Sequence, residues 1–168
     1  MTPSVVVLTF NEERNIERCL SSLGDLNDVV VIDSGSTDRT VALAEAAGAR
    51  VLHRAFDDFA GQRNHALEHG DLRNEWVLHL DADEELTDEF RAELARLIGR
   101  DDLDGYRVPS KTMLNGQWLR RAGMYPTYQV RIGHRDRLRF VQVGHGQREA
   151  SPPERIGTFD VPYLHHNF

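Results

Sequence analysis

Trp76-Val77-Leu78-His79-Leu80-Asp81-Ala82-Asp83 is an apolar run of strand length that ends in two aspartates one residue apart. It is short, rich in Val and Leu, and followed by a helical pattern, so it reads as a buried strand. Side chains alternate along a strand, so Asp81 and Asp83 can point the same way. Two carboxylates side by side at the open end of a strand repel each other unless a cation lies between them. Hard divalent ions such as Mg²⁺ or Mn²⁺ are held in this manner, through one or two carboxylates and the phosphates of a substrate. The alternative is that the pair caps the helix beginning near Thr87.

Upstream, Ser4-Val5-Val6-Val7-Leu8-Thr9 is a β-branched run of the kind buried on both faces. It ends at Thr9-Phe10-Asn11-Glu12-Glu13, where Asn11 is placed to cap a helix carrying Ile16, Cys19, Leu20 and Leu23 at helical spacing and stopped by Gly24. Val29-Val30-Val31-Ile32-Asp33 is a second strand with an acid at its end, and Ser34-Gly35-Ser36-Thr37-Asp38 is a polar turn. A helix with Val41, Leu43, Ala44 and Ala47 then runs to Gly48, and Arg50–His53 is a third strand. Gly61 to Leu67 begins another helix, the run at 76–81 is the fourth strand, and a helix over about 88–99 puts Phe90, Leu94, Leu97 and Ile98 on one face.

Alternation of strands and helices predicts an α/β layer with a parallel sheet. Right-handed crossovers bring the carboxyl ends of its strands to one edge, and ligands bind outside that edge. Thr9, Asn11, Asp33, Asp81 and Asp83 all lie there. Polar loops are ordinary at strand ends; carboxylates converging from separate strands are not. The first strand is not followed by Gly-x-Gly-x-x-Gly, and the chain has no Gly-x-x-x-x-Gly-Lys-Ser/Thr, which disfavours a dinucleotide fold and removes the P-loop nucleotidases.

After Arg100 the pattern changes. Gly105-Tyr106-Arg107-Val108-Pro109 predicts a strand, and residues 111–125, mixing Gly, Arg and aromatics without a period, read as a long loop. Segments 128–132 and 138–141 alternate like half-exposed strands with a turn at 134–137, and residues 161–168 close the chain. The end at Phe168, straight after a strand-like run, suggests that a C-terminal helical part is absent.

With 168 residues, 40% of them hydrophobic, the chain is expected to form one domain with a sizeable core. No apolar run approaches the roughly 18 residues of a membrane span. The N-terminus lacks the basic-then-apolar pattern of a secretory signal, and Cys19 is the only cysteine, spaced as a core residue; a cytosolic location is expected. The net charge of −7 conceals an asymmetry, since residues 1–100 carry −10 and residues 101–168 carry +3. The acidic part argues against nucleic-acid binding. The basic part suits ligand phosphates or, as a peripheral contact, an anionic membrane surface; ordinary surface charge is the alternative.

SVVVLTFN at 4–11 with Glu12 and Glu13, VVVIDSGSTDRT at 29–40, GQRNHAL at 61–67 and LDADE at 80–84 together resemble the family 2 glycosyltransferases of GT-A fold. LNGQWLRRAGMYPTYQVRI at 114–132 and LHHNF at 164–168 are similar, more narrowly, to the bacterial subgroup that adds glucose or heptose to the lipopolysaccharide inner core. The resemblance implies a mostly parallel central sheet flanked by helices, with a smaller mixed β part. Residues 1–100 would bind a nucleotide sugar, such as a UDP-sugar, and residues 101–168 would face a saccharide or lipid-linked acceptor. It implies that Thr9, Asn11 and Glu13 line the nucleotide pocket, that Asp33 accepts a hydrogen bond from the base, and that Arg63 approaches the nucleotide. Asp81 and Asp83 would hold ribose and metal (Mn²⁺ or Mg²⁺) respectively, and His165 would be a further metal ligand.

Each residue also has a plainer reading. Thr9 and Asn11 suit capping, Glu13 the first turn of a helix, Asp33 an Asx-turn, Arg63 a surface pair with Asp57 or Asp58, and His165 and His166 ordinary satisfied positions. Trp118 and Tyr125 suit either the core or an acceptor, Arg131 is placed with them on the acceptor side, and Arg63 or Arg131 could also add positive charge at the donor diphosphate. An inverting transfer needs a base for the acceptor hydroxyl. The subgroup shows Val-His-Glu before its last strand, whereas this chain has Val143-Gly144-His145-Gly146-Gln147-Arg148-Glu149, with Gly146 where that glutamate falls. Glu149 or His145 is the candidate base. The rival reading is a nucleotide-sugar-binding domain without turnover. A receiver-like signalling domain with Asp33 as phosphoacceptor would need a lysine after its last strand, and the single lysine, Lys111, is badly placed.

Overall fold

The computed structural model describes residues 1–121 and 125–167. Strands β1 (Ser4–Thr9), β2 (Val29–Asp33), β3 (Arg50–His53) and β4 (Trp76–Asp81) lie parallel in the order β3-β2-β1-β4. All of β1 and β2 is buried, as is β4 up to Leu80, which is what continuous apolar runs require. The period-2 alternation divides their side chains between two layers. Val5, Val7, Val31, Leu78 and Leu80 pack with Ile16 and Cys19 of α1 (Ile16–Ser21), Ala44 of α2 (Thr40–Ala46), and Phe90 and Leu94 of α4 (Asp88–Leu97). Val6, Leu8, Val30, Ile32 and Val77 pack on the opposite face with Ala66 and Leu67 of α3 (Phe59–His69).

The sheet continues from β4 through antiparallel β8 (Thr127–His134) to β6 (Gly105–Leu114), then to β12 (Tyr163–Asn167), parallel to β6, and ends at the short β5 (Glu84–Glu85). Strand β7 (Gln117–Trp118) and strand β11 (Ile156–Thr158) pair with the two ends of β6. Strands β9 (Phe140–Val143) and β10 (Gly146–Glu149) form a separate two-stranded hairpin. Two antiparallel steps make β6 run the same way as β4, so the carboxyl ends of β1, β2, β4 and β6 share one rim.

Four readings are corrected. Helix α1 starts at Ile16, not after Asn11, because Asn11 adopts φ 51° and its Oδ1 accepts the Thr37 N–H at 2.8 Å. The expected loop at 111–125 is a hairpin as far as Trp118, turning on Asn115-Gly116 with φ 50° and 78°, the pattern of a type I′ turn; residues 122–124 of that loop, like Phe168, lie outside the described residues. The strands at 127–134 and 140–143 do not pair with each other, since β9 turns back on β10 instead. Neither Asp81 nor Asp83 caps α4; the Thr87 side chain does, accepting the Phe90 N–H. Among the described residues, no helix is long and apolar enough to cross a membrane.

Candidate active site

The end of β4 is built around a ring of two acids and two bases. Asp81 accepts from Arg63 Nη2 through Oδ1 (2.8 Å) and from Arg131 Nη2 through Oδ2 (3.1 Å). Glu84 accepts from the same Arg131 nitrogen through Oε1 (2.8 Å) and from the Asp81 backbone N–H through Oε2 (2.8 Å). Arg63, Arg131 and Glu84 are buried. Burial works to raise the Asp81 carboxyl, but the Arg131 and Arg63 guanidiniums overcome it and hold Asp81 at about 2. Burial pushes Glu84 up to about 7 against the pull of Arg131, with the Asp81 charge adding to the rise.

Asp83, beyond the ring, stands free of both arginines. Strand β12 brings His165 opposite Glu84 of β5, and its Nε2 lies 3.0 Å from Asp83 Oδ2. This contact raises the His165 imidazole above its ordinary value. The next residue fixes the loop, because His166 donates its N–H to the Asp83 carbonyl (3.0 Å) and its ring pairs with Glu85 (2.6 Å). Oxygens of Asp81, Asp83 and Glu84 lie within 4.8 Å of one another. Since Asp81 and Glu84 are engaged by the arginines, Asp83 and His165 are the pair best placed to hold a cation. A carboxylate with an imidazole suits Mn²⁺, and oxygen donors alone suit Mg²⁺.

Two cavities meet at this point. The first, ≈ 650 Å³, has Thr9, Phe10, Glu12, Ser34, Phe56 and Gln62 in its walls and reaches Asp81, Asp83 and His165. Phe10, Phe56 and Phe59 expose 56%, 51% and 39% of their surface, unusual for phenylalanine and sufficient to receive a flat apolar ring. The second, ≈ 290 Å³, is lined by Arg63, Arg131, Ser110, Gln129, His145 and Gln147, and shares Phe59, Asp81 and His165 with the first.

A family comparison decides the lineage. The profile of "Glycosyl transferase family 2" matches residues 4–147. The chain belongs to glycosyl transferase family 2. It is 38% identical over 104 residues to an uncharacterized glycosyltransferase of Rickettsia bellii (61% of this chain, 35% of that one). It is 31% identical over 154 residues to the lipopolysaccharide core biosynthesis glycosyltransferase LpsC of Rhizobium meliloti (88% of this chain, 53% of that one). The chain thus spans between about a third and a half of these two relatives' lengths. Among solved structures, S. aureus TarS in complex with UDP-GlcNAc superposes with a TM-score of 0.70 at 22% identity, covering 100% of this chain and 59% of that one. Glucosyl-3-phosphoglycerate synthase from Mycobacterium tuberculosis, in complex with Mn²⁺, UDP-glucose and phosphoglyceric acid, superposes with a TM-score of 0.67 at 20% identity, covering 99% and 72%. The fold is GT-A.

Within this family 2 chain the residues singled out from sequence fall into three groups. Thr9, Arg63, Asp81, Asp83, Arg131, His145 and His165 border the joined cavities. Arg63 does not pair with Asp57 or Asp58; Arg54 holds Asp57 at 2.8 Å, and Asp58 caps α3. Asn11, Glu13 and Asp33 build the adjoining loop instead of lining a cavity. Asn11 and Glu13 accept the backbone N–H groups of Thr37 and Arg39, while Asp33, 1% exposed, accepts those of Gly35 (3.0 Å) and Ser36 (2.9 Å) as an Asx-turn. Ser34 and Glu12, their chain neighbours, line the first cavity in their place. Glu149, Trp118 and Tyr125 line neither cavity. Glu149 sits opposite Phe140 on β10, and Trp118 stacks edge-to-face with Tyr125 (5.1 Å) beneath Lys111 and Arg120, 4.4 and 4.9 Å from its ring. Phe10, Ser34 and Gln62 lie inside the motifs quoted from sequence but were not singled out there, and Phe56 lies outside them; the available signal was aromatic residues in polar loops next to the strand ends.

Proposed function

We propose that this chain is the donor-binding and catalytic part of a metal-dependent glycosyltransferase that moves a sugar, with inversion, from a UDP-sugar to a hydroxyl acceptor in lipopolysaccharide or surface-polysaccharide synthesis. The observation that carries this reading is the meeting, at Asp81 and His165 beside Asp83, of an aromatic-walled cavity and one lined by the paired Arg63, Arg131, Asp81 and Glu84. The first suits a nucleotide, with Phe10 and Phe56 offered to the base and Ser34 and Thr9 as hydroxyl partners. Thr9 Oγ1 is buried without a hydrogen-bond partner, as a residue waiting for a ligand would be. Asp83 and His165 would hold Mn²⁺ or Mg²⁺, which when bound neutralises the diphosphate and makes it a better leaving group. Arg63 and Arg131 keep Asp81 ionised and fixed at the donor side. An acceptor in the second cavity gives its hydroxyl proton to His145, its oxygen bonds to the anomeric carbon, and the sugar–phosphate bond breaks with its electron pair leaving on UDP. Glu149 serves only if the β9–β10 hairpin shifts.

The lipopolysaccharide core role for which the Rhizobium meliloti relative is named supports the lipopolysaccharide setting, and the Mn²⁺, UDP-glucose complex of the mycobacterial synthase supports the donor class. A cytoplasmic site of action, peripheral to the membrane through the basic half, fits a lipid-linked acceptor. A second reading, nucleotide-sugar binding without turnover, is favoured by Gly146 where the subgroup carries glutamate. Incubation with Mn²⁺ and UDP-sugars separates the two: release of UDP supports the transferase, and donor binding without release across a panel of acceptors supports the second reading.

A further inference from the structure

We propose that the second cavity selects an acceptor bearing an anionic group, carboxylate or phosphate, beside its hydroxyls, and seats that anion on Arg63 and Arg131. The inference rests on the donor reading above and extends it to the acceptor. The hydrogen-bonding capacity left over in the arginines that line the cavity carries it. Both oxygens of Asp81 and both of Glu84 are engaged, by Arg63, by Arg131 and by the Asp81 N–H. The guanidiniums are not used up in return. Arg63 Nε, Arg63 Nη1 and Arg131 Nη1 are buried with no partner. Arg131 cannot swing away to find one, since Tyr163 backs it, with the hydroxyl 3.4 Å from Nε and the ring 5.7 Å from the guanidinium carbon.

Three charged N–H-bearing nitrogens without acceptors call for oxygens of negative charge, since hydrogen bonds between ionised partners are the strongest of their kind. Gln147, also in the cavity lining, has its Oε1 likewise buried and unpartnered, and it calls for a donor such as a hydroxyl. The combination specifies a hydroxylated anion rather than a neutral sugar or a bare inorganic ion. Ser110 and Gln129 add polar walls, and ≈ 290 Å³ is room for about one sugar-sized unit. The acids that oppose an anion are Asp81 and Glu84, which line the cavity and whose charges the two guanidiniums balance, and Asp83 beside it, whose charge a divalent cation held there would cancel.

The test loads the full chain with UDP and Mn²⁺ and titrates D-glucuronate, D-glucose 6-phosphate and D-glucose by calorimetry. One or both anions should bind about tenfold or more tighter than glucose, and which of them does so identifies the carboxylate or the phosphate as the group seated. Gln129→Glu, a change at an exposed position in the cavity wall, should abolish the preference, and Arg131→Lys should weaken it while keeping the charge. If Arg131→Lys does not fold, Gln129→Glu decides alone. Glucose binding as tightly as both anions, or anions that UDP expels, overturns the proposal. Failure of UDP to bind with Mn²⁺ overturns the donor reading instead; the anion preference is then measured on the free chain, where its absence overturns this proposal separately.

Discussion

Asp81 and Asp83 are two residues apart, yet their surroundings separate them. Asp81 has both oxygens on guanidiniums, whereas Asp83 meets only an imidazole side chain among the described residues. Asp83→Ala should therefore remove the Mn²⁺-dependent part of UDP binding while leaving the fold intact, read as loss of the extra thermal stabilisation that Mn²⁺ gives in the presence of UDP. At the opposite end of the sheet Asp28, 2% exposed, accepts from Arg50 Nη1 (2.7 Å), the Arg73 N–H (2.8 Å) and Ser4 Oγ. Burial works to raise this carboxyl, and its hydrogen bonds to Ser4, Arg73 and Arg50 overcome it and hold it below the usual range. A carboxyl depressed by folding adds stability that is complete above its unfolded pKa, about 3.9 for Asp, and fades as pH falls toward the folded value. Asp28→Asn should cost about 2 kcal/mol near neutrality, and the gap from the parent should narrow below about pH 4, as urea denaturation at several pH values would record. Single residues were legible in sequence where a strand aimed them: Thr9, Asp81 and Asp83 follow from strand ends. Where the chain leaves the strand, Asp33 and Glu13 are held in loop hydrogen bonds, and their neighbours Ser34 and Glu12 stand in the cavity wall, a distinction of one residue that the sequence does not show. The left-handed turn at Asn11 and the Asx-turn at Asp33 redirect the backbone in ways that periodicity does not encode.

Helix α3 shows how one element serves several walls. Consecutive helical residues point about 100° apart, and Gln62, Arg63 and Asn64 use this to reach three places. Gln62 Nε2 donates to Ser34 Oγ (2.9 Å) and to the Arg54 carbonyl (3.0 Å), Arg63 holds Asp81, and Asn64 exchanges two hydrogen bonds with the Phe140 backbone (2.8 and 3.0 Å). Gly61 precedes them because a Cβ there would come within 2.7 Å of Asp57 Oδ1 and 3.0 Å of Asp58 Oδ1. Asn64→Leu should loosen the β9–β10 hairpin, with faster amide exchange over 140–149, while UDP affinity stays within about twofold. Gln62→Ala should reverse the pattern, weakening UDP binding and leaving that exchange unchanged. The helix was found in sequence from Gly61 to Leu67, but its role was not. A helix that buries Gln62 and Arg63 along with Ala60, Ala66 and Leu67 has no clean apolar stripe to read. The turn at 115–116 and the strand at 146–149 were missed for a related reason, since short exposed strands alternate weakly; 138–141 was read as a strand but not its pairing with 146–149.

Across the whole molecule the fold was legible because the four parallel strands are buried on both faces, and burial of that kind writes long apolar runs into the chain. The second half was less so, because its strands pair out of sequence order, β6 with β8, β12 and β11, and order of pairing leaves no local mark. UDP with Mn²⁺ should raise Tm by several degrees over either alone, because ligand at a hundred times its Kd adds about 2.7 kcal/mol to a folded chain that binds it; calorimetric scans would show it. The β9–β10 hairpin belongs to neither the main sheet nor its hydrogen-bond ladder, and it contributes His145 and Gln147 to the second cavity. Phe140 anchors the hairpin to α3 through Asn64 and packs with Ala60 and Leu138, so the tip beyond Phe140 can be exchanged without disturbing the parallel strands. Changes of acceptor taste during descent, or in a graft made at the bench, would then begin at residues 141–149 and leave residues 1–100 untouched.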